Sequence, residues 1–221
     1  MTRTSKKSNN IYRTVNISLS CLLFLQGCAK KETPLKFEQN VFEQVFAEIV
    51  DSTYRDKRVY SFHCNTGKPY MKTASGSLKE NPECIRERQA LKNDTLNLVL
   101  AIADSVHLIY QDDAQFISKE FQVLDSKTYR IDFSKYPSRK FDFKYLSELK
   151  PDSEYENWEA KYLKFAGELS FSKIYFDKKK EKAIMTVEYG CGSKCGLGYF
   201  VHLENINRKW VVAKVENTRT A

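Results

Sequence analysis

Residues 169–215 read LSFSKIYFDKKKEKAIMTVEYGCGSKCGLGYFVHLENINRKWVVAKV, and this stretch decides the fold. Leu169, Phe171, Ile174 and Phe176 mark one strand, with a slip of phase near Ser172 that predicts a bulge. Asp177–Lys182 is a polar turn, and Ala183, Met185, Val187 and Tyr189 alternate along the next strand. A Gly/Cys loop leads into Tyr199, Val201 and Leu203, and Asn205-Ile206-Asn207-Arg208 turns the chain into Lys209–Val215. Four strands joined by three short connections predict an antiparallel meander.

Upstream, Phe37, Val41, Phe42, Val45, Phe46, Ile49, Val50 and Tyr54 recur at three- and four-residue spacing, with Glu38, Glu43, Gln44 and Glu48 between them. That period predicts an amphipathic helix over 36–56 whose apolar face packs on the sheet. The expected fold is α+β, an N-terminal amphipathic helix with a C-terminal four-stranded antiparallel meander. Between the two, the sequence predicts a short helix over 81–92 with Pro82 in its first turn. Strands are expected at 95–103 and 106–110, a small helix over 111–122, strands at 129–133 and 141–145, and a helix over 154–165. Residues 36–221 are read as a single α+β domain with a possible sub-boundary near 150–166.

The amino terminus reads as an address. Residues 1–27 carry Arg3, Lys6, Lys7 and Arg13, no acidic residue, and then a short apolar run from Val15 to Leu25. A basic segment, a brief apolar segment and a small-residue cut site are the parts of an export signal. The run falls short of the ~20 residues that span a bilayer. Leu25-Gln26-Gly27-Cys28 resembles the bacterial lipobox, in which the cysteine thiol takes lipid and the chain is cut before it. That resemblance implies a signal peptide over 1–27, lipidation of Cys28, a tether over 28–35 and attachment to a membrane on the non-cytoplasmic side, the outer membrane by preference.

The signal also accounts for half of the charge. The chain has 36 basic and 28 acidic residues, a net of +8. Without residues 1–27 the count is 32 against 28, a net of +4. This weakens any nucleic-acid reading, and Lys178-Lys179-Lys180 reads as a solvated turn. Cys64, Cys84, Cys191 and Cys195 then remain, an even number in an exported domain, which argues for disulfides. Pairing Cys64 with Cys84 and Cys191 with Cys195 closes a local loop in each case. The Cys191-Gly-Ser-Lys-Cys195 loop also admits a redox-active pair, against which its three intervening residues count, or a zinc site with His202 and His63.

Three segments together resemble a group of uncharacterised lipoproteins of Bacteroidetes-type bacteria. They are Phe171–Asp177, the Cys-Gly-x-x-Cys-Gly loop from Cys191 through Tyr199, and Arg208-Lys209-Trp210-Val211-Val212, with Asp51–Arg58 as a further match. The chain departs from that pattern at Asn217-Thr218-Arg219-Thr220, where the group ends Trp-Val/Ile-Ser. The resemblance implies address and architecture and carries no activity. Asp51-Ser52-Thr53, Asp94-Thr95-Leu96 and Asp104-Ser105-Val106 also resemble the short Asp-Ser/Thr-apolar sites that such bacteria O-glycosylate.

For function, the sequence holds no Gly-x-Ser-x-Gly elbow, no His-Glu-x-x-His, no phosphate loop and no dinucleotide fingerprint. The favoured expectation is a non-catalytic envelope domain that binds or scaffolds an envelope protein or glycan, with no cofactor, no metal and no nucleic acid. The alternative is an enzyme, or a thiol or metal protein, working through the Cys191/Cys195 loop, Cys64 beside His63, or the acidic pairs Asp112-Asp113 and Glu154/Glu156.

Overall fold

A long helix and an eight-stranded mixed sheet dominate the computed structural model, which describes residues 32–60, 62–149, 158, 161–192 and 195–220. The chain divides into Met1–Thr33 and Pro34–Ala221, and the elements below belong to the second unit. The α+β class holds, but β structure outweighs helix and the sheet is larger than a four-stranded meander.

Helix α1 spans Pro34–Thr53. Proline suits the first turn, where its missing N–H costs no hydrogen bond. Val41, Phe42, Val45, Phe46, Ile49 and Val50 are buried on one face, as their spacing requires. Phe46 stacks on Tyr136 at 4.3 Å between ring centroids, and Phe42 meets Phe171 edge-on at 5.5 Å. Beyond the short helix α2 (Lys57–Tyr60), strands β1 (Tyr70–Lys72) and β2 (Leu78–Glu80) form a separate small hairpin. Helix α3 (Pro82–Asn93) is capped by Asn81, whose side chain accepts from Glu83 N.

The main strands of the sheet are β3 (Leu98–Ile102), β5 (Phe141–Tyr145), β6 (Phe165–Phe171), β8 (Lys182–Gly192), β9 (Cys195–Ile206) and β10 (Lys209–Thr220). They run in the order β10-β9-β8-β6-β3-β5. Two short strands, β4 (Gln122–Val123) and β7 (Tyr175–Phe176), pair with each other, and β7 also pairs with β8. Strand β3 lies parallel to both β5 and β6, while β6, β8, β9 and β10 are antiparallel neighbours. All five residues of β3 are buried, the unbroken apolar run expected of a strand covered on both faces. Asn207 and Arg208 both take positive φ (53° and 66°), making the two-residue β9–β10 turn of the kind that suits strand twist.

The bulge at Ser172 is present and countable. Phe171 sits opposite Val187 and Tyr175 opposite Ile184, so four steps on one side match three on the other. Ser172 Oγ accepts from Thr186 N at 2.8 Å, replacing a carbonyl lost from the ladder. Other expectations need correction. Residues 106–110 make only a single bridge, His107 to Ser172, because the segment crosses between layers: Val106 joins the core under α1 and Ile109 the opposite face. Residues 129–133 likewise contribute only the bridge Ser105–Arg130 before a 3-10 turn at Phe133–Lys135. The helix expected over 111–122 is one turn, α4 (Gln111–Ala114). The helix expected over 154–165 and the sub-boundary near 150–166 fall mostly outside the described residues; Phe165 already belongs to β6. No helix among the described residues is long and apolar enough to cross a membrane.

Candidate functional site

The two faces of the sheet are covered differently. On one, α1 seals a core running from Leu98, Leu100 and Ile102 through Leu169, Val187 and Tyr199 to Trp210. On the other, two small clusters cover the ends: Val99, Ala101, Leu149, Trp158 and Phe165 at one, Ile109, Ile184 and Phe200 at the other. A cleft of about 500 Å³ lies between them.

The cleft's floor follows from strand register. Leu169 and Tyr189 point to the helix side, so Glu168, Ser170, Glu188 and Gly190 point away from it. Glu168 lies opposite Gly190, and Ser170 opposite Glu188, which makes the two carboxylates diagonal neighbours. On β9 the residues opposite Glu188 and Gly190 are Gly198 and Gly196. A Cβ on Gly190 would stand 2.6 Å from Glu168 Oε1, so the Glu168 carboxylate lies over bare backbone. At Gly167, φ is +127° and a Cβ would meet the Tyr189 ring at 2.5 Å. The Tyr189 hydroxyl donates to Ala166 O at 2.7 Å beneath the floor.

His107, Tyr110, Ala103 and Leu146 form walls. The His107 ring leans on Tyr110 at 4.9 Å, and its Nδ1 lies 2.7 Å from Leu108 O. The His107 Nε2 is buried, so the ring contributes a flat apolar wall and the acceptors of the cleft are the carboxylates. The arrangement supplies acceptors beside an exposed aromatic surface. It suits a ligand rich in hydroxyl or amine donors.

Elsewhere the structure places the sequence candidates as follows. Cys28 lies outside the described residues, as do Glu154 and Glu156. Cys64 is disulfide-bonded to Cys84, and Cys191 to Cys195. All four thiols are therefore consumed. That overturns Cys64 as a nucleophile beside His63 and Cys191/Cys195 as zinc ligands. His202 Nε2 instead lies 3.0 Å from Glu216 on the neighbouring strand. His63 lines an open groove with Arg58, Glu87 and Asp94 that shares no lining residue with the cleft. Lys164 and Arg58 hold the Asp94 carboxyl below the usual carboxylate range. Asp113 is buried in the single turn of α4, which separates it from Asp112, exposed beside it. Of the O-glycosylation look-alikes, Thr95 and Ser105 are exposed, whereas Ser52 donates to Glu48 O within α1. No group of three metal-ligating side chains occurs among the described residues.

A second polar constellation sits inside the core. The bulge carries Lys173 to 0% exposure, where its Nζ lies 3.0 Å from Glu38 Oε2, also fully buried. Lys173 Nζ also donates to Lys127 O at 2.6 Å, and Glu38 Oε1 accepts from Ile174 N. The cation stands 5.4 Å over the Tyr129 ring. Burial pushes the Glu38 carboxyl above its ordinary range, an effect the Lys173 contact partly offsets, and raises the Tyr129 hydroxyl too. The signal was in the sequence: Glu38 precedes Val41 and Phe42 by three and four residues, so it sits on the buried face. Gln44 and Glu48, read as merely polar, have a task as well. They accept from Trp210 N and Val212 N and so cap the outer edge of β10.

The fold and site thus define an α+β domain with a helix-sealed face and a carboxylate-bearing cleft on the other. No family model, curated protein or solved structure matches the chain.

Proposed function

We propose that this chain is a lipid-anchored binding protein of the bacterial cell envelope, of the lipoprotein group its sequence resembles, and that the cleft around Glu168 and Glu188 is its binding surface. The observation that carries the binding reading is the open, glycine-floored stretch of sheet between two covered ends. Carboxylates and an exposed tyrosine on that surface fit hydroxyl-rich ligands such as an envelope glycan. The oxidising address is supported separately by the pairing of all four remaining cysteines. In this reading the N-terminal helix and the C-terminal four-stranded antiparallel meander form the frame, and the connections between them build the cleft walls.

Two experiments test the two halves. Cells fed a labelled lipid precursor should mark the wild-type protein and leave Cys28→Ala unmarked; an unlabelled wild type removes the anchor. Titration of neutral oligosaccharide fragments from the cell envelope should shift amide signals of Gly190, Gly196 and Gly198. A response confined to other surfaces, or none, removes the cleft.

A further inference from the structure

The turns at the opposite end of the sheet from the cleft form a basic surface. Lys178, Lys179, Lys180 and Lys182 surround the β7–β8 turn, and Arg208 and Lys209 the β9–β10 turn; all six are exposed. The turns are held side by side. Asn205 N donates to Glu181 O at 2.8 Å, and Lys182 lies 3.9 Å from Glu204 across the strand pair. Both adjoin the start of α1: Lys180 Nζ stands 4.6 Å over the Phe37 ring, which packs on Phe176 and Trp210. The acidic groups of these two turns and the strand ends beside them are Asp177, Glu181 and Glu204. Asp177 Oδ1 is occupied in accepting from Glu181 N and Lys182 N. Six cations against three carboxylates leave +3, most of the +4 carried by the chain after residue 27. Ile206, 52% exposed, stands among them as an apolar contact.

We infer that this end is a docking surface for anionic lipid headgroups, and that it sets the orientation of the domain on the membrane. The inference rests on the lipid anchor proposed above. Cys28 precedes Pro34 by six residues, which reach at most about 20 Å even fully extended. The surface that surrounds the start of α1 is therefore the one the tether keeps near the bilayer. Lysine and arginine close to an anionic surface each strengthen association by about fivefold. Strand β8 runs from Lys182 at this end to Gly190 in the cleft, about 25 Å at ~3.3 Å per residue. Docking by the basic turns holds the cleft away from the lipid, open to a ligand.

The test uses residues 34–221, which hold both disulfides and every described residue of the core. The domain is sedimented at low ionic strength with vesicles of phosphatidylglycerol and phosphatidylethanolamine in equal parts, and with phosphatidylcholine alone. Binding should appear on the anionic vesicles only and fade as salt rises. Lys178→Glu, Lys179→Glu and Arg208→Glu together should weaken it by more than about tenfold, with the melting temperature unchanged. Lys72→Glu with Lys79→Glu, on the separate β1–β2 hairpin, should leave it within about twofold. Equal binding to both lipids, no binding, an unaffected triple variant, or equal loss in both variants overturns the inference. So does capture of polyglutamate peptide without capture of anionic vesicles. Because this domain lacks Cys28, vesicle binding stands or falls apart from the labelling result, which alone decides the anchor.

Discussion

The two faces of the sheet solve the same problem in different ways. On one, a single 20-residue helix lays an unbroken aromatic and aliphatic face over the strands, and even the charges beneath it are paired. On the other, short connections cover only the ends and leave polar groups standing over bare glycine backbone between them. The difference teaches where stability and recognition reside. A continuous cover excludes water and makes each contact cooperative with its neighbours; a broken cover contributes less to stability and leaves a surface for another molecule.

The largest break in this contrast should come from Lys173. Lys173→Ala leaves the Glu38 carboxylate buried without its cation, and loss of one partner of a buried pair costs about 3–5 kcal/mol. Chemical denaturation should show that loss, while Lys173→Met with Glu38→Leu restores most of it, because two apolar side chains of similar volume need no partner. On the outer face, Ser170→Ala should cost less than about 1 kcal/mol. A small effect from Lys173→Ala would mean that the sealed face admits water.

The disulfides come next. Cys64 and Cys84 are 20 residues apart, Cys191 and Cys195 only 4. If the chain-entropy account holds, removing the first costs about 3 kcal/mol and the second about 2. Melting curves of Cys64→Ser/Cys84→Ser and Cys191→Ser/Cys195→Ser measure both. The first bridge joins the segment before β1 to α3 and closes the loop that holds the β1–β2 hairpin, so its loss should raise hydrogen exchange across 65–83; the second pinches the β8–β9 hairpin at the rim of the cleft.

Glycines sharpen the comparison further. Gly167→Ala forces a side chain into left-handed backbone and onto the Tyr189 ring, at about 1–3 kcal/mol. The three atoms nearest a Cβ on Gly190 all belong to the Glu168 side chain, which can swing aside, so for Gly190→Ala stability should fall by less than about 1 kcal/mol. Its effect belongs to the cleft: oligosaccharide binding should weaken although the melting curve barely moves. If Gly190→Ala binds as well as wild type, the cleft floor is not the recognition surface.

How much of this was legible follows from the range of each signal. Alternation in 183–189 and 199–203 and three-four spacing in 37–54 report which side of a local element is apolar, and one bulge at Ser172 announced itself as a phase slip. Residues 106–110 misled because Val106 and Ile109 serve two layers, whereas Tyr129, Ile131 and Phe133 alternate onto one core yet make a single bridge before a 3-10 turn. The cleft was illegible for a different reason. Glu168 and Glu188 become neighbours only through the register of β6 against β8, which no spacing along the chain encodes. Glu38 was legible by its helical position, but its partner Lys173 lies 135 residues away and turns inward only because of the bulge.

The smallest effect distinguishes the buried acid from an exposed one by the sign of its pH dependence. Glu38 has its folded-state pKa raised by burial, so its protonated form adds stability that is fully present below the ordinary value of 4.5 and is lost as pH rises through the folded value. Asp94 is held below its ordinary 3.8 by Lys164 and Arg58; the stability it adds is present above that value and lost as pH falls through the lowered one. Between neutral pH and about pH 3 the wild type should therefore gain on Glu38→Gln and then lose ground to Asp94→Asn. Paired melting curves at each pH measure the two differences. Parallel curves for Glu38→Gln and wild type would mean that this carboxyl keeps the same affinity for its proton in the folded and unfolded chains. The sealed face would then shield its charges no better than the open one.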